Sequence, residues 1–154
     1  MGIFQLKRVQ LLNGTKEDIW NFFTSPQNLN DITPQGMRFE ILSELPDKVY
    51  EGLIICYKIS PFLNIPMNWV TEITHVKDYL FFVDEQRQGP YKLWHHEHHF
   101  KTVENEVEMT DILHYDIGKG IFGQIAGALF VHKQVRNIFD YRYERLEELF
   151  NKRH

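Results

Sequence analysis

The chain has 154 residues, the span of one domain, and carries 21 acidic against 17 basic residues for a formal net charge of −4. It shows no basic stripe and no apolar run of about 18 residues, which argues against nucleic acid as a partner and against a membrane-spanning segment. Cys56 is its one cysteine, so an intrachain disulfide is excluded. Residues 1–10 lack the charged start and apolar run of a signal peptide, so a cytoplasmic protein is expected.

In chain order, Ile3 to Leu12 reads as a strand ended by Asn13-Gly14. Thr15 then caps a short helix, with Asp18 three residues on and Ile19, Trp20, Phe22 and Phe23 on its apolar side. Ser25-Pro26 opens a second short helix, ended at Thr33-Pro34. From Met37 the period changes to two, with Met37, Phe39 and Ile41 on one face. Strands are expected over Val49 to Ser60, Asn64 to Val76, Tyr79 to Gln88, Lys92 to Val103 and Glu106 to Asp116. Their short connections predict antiparallel neighbours. After Gly118-Lys119-Gly120, Ile121 to Phe150 follows a helical period, with Ile125, Leu129, Val135, Phe139, Leu146 and Phe150 near one stripe. A lone long helix buries its stripe against the sheet, and a twisted sheet of seven strands curls around it. The expectation is one α+β domain over 1–154, with a hollow between sheet and helix.

Three segments carry a resemblance. They are Trp69-x-Thr71-x-Ile73, then Gln88-Gly89-Pro90-Tyr91-x-x-Trp94-x-His96-x-His98-x-Phe100, and Asp111-x-Leu113-x-Tyr115 followed by Ile138-Phe139-x-Tyr141-Arg142. With the order of elements, they make the chain similar to the START/Bet v 1-like (SRPBCC) superfamily, most of all to a bacterial branch of small ligand-binding members. Where that branch usually has Pro-x-Gly, this chain has Asp116-Ile117-Gly118-Lys119-Gly120. The resemblance spans essentially the whole chain. It implies a helix-grip fold and a ligand-binding habit, and it names no single reaction.

The densest chemistry lies in Trp94-His95-His96-Glu97-His98-His99-Phe100. Strand alternation puts Trp94, His96, His98 and Phe100 on the cavity side, and leaves His95, Glu97 and His99 toward solvent. On the next strand Met109, Asp111, Leu113 and Tyr115 share the apolar face, so His96, His98 and Asp111 are expected to meet. Phe39, Trp69, Thr71, Ile73, Phe81 and Val83 complete the expected lining. Three readings of the polar trio stay open: a self-satisfied hydrogen-bond network, a polar anchor for a ligand headgroup, or a metal site with Asp111 as third ligand. No motif calls for a cofactor. Glu85 and Arg87 read as a surface pair, Cys56 as a small core residue, Tyr141 and Arg142 as surface and packing groups, and His132 as part of a solvated face. Small residues Gly120, Gly123, Ala126, Gly127 and Ala128 leave room beneath the helix.

The expected function is binding of a small hydrophobic ligand, such as a lipid or polyketide. The alternatives are a cyclase or dehydratase working through His96, His98 or Asp111, and a protein-interaction module with an exposed apolar patch.

Overall fold

The computed structural model of the chain describes residues 2–62, 64–118 and 125–152. The expected helix start at Ile121, the glycines at 120 and 123, and the side chains of Ile125 and Ala126 lie outside what it describes.

Seven strands form one antiparallel sheet: β1 (Phe4–Asn13), β2 (Glu40–Ile41), β3 (Ile54–Phe62), β4 (Ile65–Lys77), β5 (Phe81–Gln88), β6 (Leu93–Val103) and β7 (Glu106–Asp116). Their order is β1-β7-β6-β5-β4-β3-β2, so the first strand closes against the last. Between β1 and β2 lie the helix α1 (Lys16–Thr24) and two 3-10 segments, Pro26–Ile32 and Gln35–Met37. The helix α2 (Ile125–Leu146) ends in a π-helical turn, Glu147–Asn151. This is the helix-grip arrangement expected from the sequence.

The local chemistry explains the boundaries. The Thr15 hydroxyl accepts the Asp18 amide at 3.0 Å and starts α1. Arg38 takes a left-handed conformation, φ 48°, which shortens β2 to two residues instead of the longer strand read from Met37. Gly52, at φ 90°, makes a turn where the sequence reading began a strand at Val49, so β3 starts at Ile54. Tyr79 and Glu104, both at positive φ, turn the β4–β5 and β6–β7 hairpins.

The core has two main parts. Leu6, Leu113, Tyr115, Val131, Val135 and Phe139 bury together where α2 lies across β1 and β7. Ile19, Trp20 and Phe23 of α1 close one end against Phe82, Phe100, Val107, Met109 and Leu146. Leu129 is a correction to the expected stripe: it is 67% exposed, and Val131 at 0% takes the inward position. Cys56 is also corrected. It is half-buried on the convex face opposite Val70, while its neighbours Ile55 and Tyr57 point inward.

The free edge of β1 is met by the end of the C-terminal helix. Asn151 donates its amide to the Leu11 carbonyl and accepts the Asn13 N–H, each at 2.9 Å. Arg8 reaches Asp140 at 2.7 Å and Gln10 reaches Glu147 at 2.8 Å.

Candidate functional site

Because α2 covers β1 and β7, the hollow opens toward β3–β6. It has a volume of about 160 Å³ and is walled by α1, the Pro26–Ile32 segment, β3 to β6 and two side chains of α2, Ile138 and Arg142. Seven of the expected lining residues reach it: Phe39, Trp69, Thr71, Ile73, Trp94, His96 and His98.

The other seven do not. Phe81 and Val83 lie opposite His99 and Glu97 on the far face of the sheet, so the inward residues of β5 are Phe82 and Asp84. Leu113 and Tyr115 face the concave side but are covered by α2, and Phe100 and Met109 pack under α1. Asp111 sits behind the histidines, against Arg142 and Phe139 of the helix.

One end of the cavity is aromatic. Trp69 lies edge-on to Trp94 at 5.2 Å and to Tyr91 at 5.6 Å, and Tyr57 stacks on Trp69 at 6.1 Å. The polar atoms of Trp69 and Tyr57 are tied down. The Trp69 indole N–H donates to the Thr71 hydroxyl at 3.0 Å, and that hydroxyl meets the Tyr57 hydroxyl at 2.7 Å. Burial, helped by the nearby Asp84 carboxylate, pushes the Tyr57 phenol upward and keeps it neutral. The loop carrying Tyr91 is held by Gln86, which donates to the Tyr91 carbonyl at 2.6 Å and accepts its N–H at 3.2 Å. A side chain at Gly89 would collide with this carboxamide.

The adjoining wall, on β5 and β6, is polar. His98 donates to Asp84 Oδ2 from Nε2 at 2.7 Å; its Nδ1 stands 3.0 Å from Asp111 Oδ1 and 3.4 Å from a terminal nitrogen of Arg142. His96 donates from Nε2 to the same Asp111 oxygen at 2.9 Å, and its Nδ1 stands 3.5 Å from Asp84 Oδ2. The two rings are 3.8 Å apart. The Arg142 guanidinium completes the group, with Nε 3.6 Å from Asp111 and Cζ 5.4 Å from the Phe23 ring centre.

Electrostatics follow from this geometry. Burial opposes ionisation of Asp111, but Arg142 and the two histidine hydrogen bonds outweigh it and hold the carboxyl well below its ordinary range. Asp84 is likewise lowered, since the His98 hydrogen bond and the surrounding positive charge overcome burial. Burial and the charge on His98 lower His96. For His98, burial is outweighed by its bonds to Asp111 and Asp84, so its affinity for a proton rises. A neutral His96 and a charged His98 beside two carboxylates and one guanidinium give a cluster of zero net charge, the arrangement a low-dielectric site favours.

Sequence reasoning missed Asp84 and Arg142. An acid in a strand reads as solvent-facing, and an arginine on a helix reads as surface; a side chain 12% exposed over a buried carboxylate corrects the second. His132 is also tied in, accepting or donating at 2.7 Å to the Tyr115 hydroxyl. Glu85 and Arg87 pair at 3.0 Å on the outer face, where His95 and His99 also sit with Glu85 and Glu97. Asp84, His96 and His98 together offer one carboxylate oxygen and two imidazole nitrogens within 4.8 Å of one another. Among the described residues, no helix is long and apolar enough to cross a membrane.

No family model matches the chain. No curated protein matches it either. Solved structures do. The Zhui aromatase/cyclase from Streptomyces sp. R1128 superposes with a TM-score of 0.75 at 9% identity, covering 94% of this chain and 92% of that one. The di-domain aromatase/cyclase BexL, from the BE-7585A biosynthetic pathway, gives a TM-score of 0.71 at 10% identity, over 99% of this chain and 51% of BexL. Ginseng major latex-like protein 151 from Panax ginseng gives 0.67 at 13%, over 97% and 98%. With the strand order and the long C-terminal helix, these likenesses show that the chain has the helix-grip fold.

Proposed function

We propose that the protein binds a small, mostly apolar ring compound in the cavity, with a polar substituent directed at His96, His98 and Asp84. The observation that carries this reading is the division of one hollow into an aromatic end and a charged wall. Along the Pro26–Ile32 side, Ser25 and Asn28 donate to the Asn21 and Phe22 carbonyls of α1 and Thr33 to the Leu29 carbonyl, at 2.6–2.9 Å. Polar recognition therefore falls to the histidine wall.

The volume sets the size. A dry cavity of about 150 Å³ accommodates benzene, and pockets for drug-sized ligands start at about 300 Å³. A hollow of about 160 Å³ thus suits a ligand of roughly one or two rings. A full lipid chain or an uncyclised polyketide would have to enlarge it.

Ring-closing chemistry is the second reading, supported by the shape shared with the aromatase/cyclases and by two imidazoles on the cavity wall. The present volume restricts it to compact substrates.

The test is a thermal-shift and calorimetric screen of phenols, naphthols and aromatic acids. At a ligand concentration of 100 times Kd the stabilisation is about 2.7 kcal/mol, or roughly 5–11 °C in Tm for a domain of this size. Ile73→Phe, which fills the hollow from β4, is expected to weaken binding at least tenfold. Unchanged binding in that variant, or no ligand in the screen above background, would place the function elsewhere.

A further inference from the structure

We infer that Asp84, His96 and His98 form a two-histidine, one-carboxylate site for a divalent first-row transition ion, with Asp111 orienting both rings and the ion's remaining positions facing the cavity. This goes beyond the ligand-binding reading and relies on it only for the direction of the open positions.

The argument is the division of labour among the ring nitrogens. A histidine that binds a metal through one nitrogen almost always donates its other N–H to a carboxylate or carbonyl, which fixes tautomer and ring angle. Here a single oxygen, Asp111 Oδ1, receives Nε2 of His96 at 2.9 Å and Nδ1 of His98 at 3.0 Å. What remains is Nδ1 of His96 and Nε2 of His98, and both converge on the same oxygen of Asp84, at 3.5 and 2.7 Å. Ligands held about 2.1 Å from a tetrahedral ion stand about 3.4 Å apart, so these two separations need changes of about 0.1 and about 0.7 Å. Asp111, the expected third ligand, is the orienting group, and Asp84 is the ligand.

Charge agrees. With both rings neutral, two carboxylates and Arg142 carry one net negative charge. Arg142 stands close by, with Nε 3.6 Å from Asp111 and a terminal nitrogen 3.4 Å from Nδ1 of His98, so its charge is part of this balance. The rings are supported by packing as well: His98 stacks on Phe82 at 4.2 Å and His96 meets Phe139 edge-on at 5.3 Å. Two nitrogen donors, one oxygen donor and open positions suit zinc, iron(II), cobalt(II) or nickel(II) rather than calcium or magnesium.

The test uses zinc as probe on the untagged full chain after chelator treatment. Calorimetry is expected to show one ion per chain, and Asp111→Asn to weaken binding 10–100-fold. His96→Ala and His98→Ala are expected to abolish it, and the outer-face pair His95→Ala/His99→Ala to leave it intact. Imidazole nitrogen NMR on the wild type needs no variant. Zinc is expected to shift Nδ1 of His96 and Nε2 of His98, with the opposite nitrogens keeping their protons. Absence of stoichiometric binding, shifts on the reverse nitrogens, or loss only in the outer-face pair would overturn the inference. Aromatic-ligand binding measured in chelator is a separate readout. Its failure with zinc binding intact removes the cavity reading alone, and the converse removes the metal site alone.

Discussion

Removal of the Asp111 carboxylate should be the most costly single change on the polar wall. Asp111 is 3% exposed, and its Oδ1 accepts two imidazole N–H groups while Oδ2 faces the Arg142 guanidinium. Asp111→Ala leaves a buried guanidinium and two imidazoles without their shared acceptor. Breaking a buried ion pair by removing one partner costs about 3–5 kcal/mol, because the surviving charge stays desolvated. For a domain near 150 residues, each kcal/mol shifts Tm by roughly 2–4 °C, so a fall on the order of 6–20 °C is expected. The measurement is urea and thermal unfolding followed by circular dichroism at pH 7 in chelator. A paired Arg142→Met change separates the charge from the cavity. The double variant should recover part of the loss, since the unpaired guanidinium is gone. A loss under about 1 kcal/mol for Asp111→Ala, with no coupling to Arg142, would refute the claim that the carboxylate neutralises a buried cluster.

Stability in chelator should also depend on pH. The lowered carboxyls of Asp84 and Asp111 contribute stability that is complete above their unfolded value and is lost as pH falls through their folded values. The raised His98 contributes below its unfolded value, and this part is lost as pH rises through its folded value; the lowered His96 has the opposite sign, so the two partly cancel near neutrality. Urea midpoints from pH 3 to pH 8 should show a steep acid loss, and a flat acid limb would contradict the ionised pair. Two leucines test the placement of α2. Leu113→Ala at 0% exposure should cost about 2–5 kcal/mol, while Leu129→Ser at 67% exposure should stay within about 0.5 kcal/mol. Equal effects in unfolding experiments would mean that the helix stripe is misassigned.

The sequence made much of this architecture legible, for identifiable reasons. Each of the later strands is long and alternating, and the Glu104-Asn105 turn bounds β6 and β7 so sharply that β7 runs from Glu106 to Asp116 as read. Trp69, Thr71 and Ile73 were placeable because β4 keeps one inward parity across them, although its pairing with β5 shifts between Val70 and Thr71 and again between Ile73 and His75. Strand β5 was not placeable. Phe81-Phe82-Val83 is apolar on both parities, so hydrophobic pattern does not choose a face, and the choice that hid Asp84 looked equally good. The long helix was legible as a helix but not in its lateral position. Its seat over β1 and β7 depends on packing between Leu113, Tyr115, Val131 and Phe139, and it converts that part of the concave face from cavity wall to core.

The carboxamide of Asn151 serves the margin of the sheet as a strand one residue long. It gives Leu11 a donor and Asn13 an acceptor, as a neighbouring polypeptide would, and so leaves less of that border available to another molecule. At the opposite border β2 is only two residues long, too brief to template much pairing. The fold thus guards its two open borders by unlike means, one by a side chain from its own terminal turn and the other by brevity, and clipping the last residues would unmask the first while leaving the second untouched.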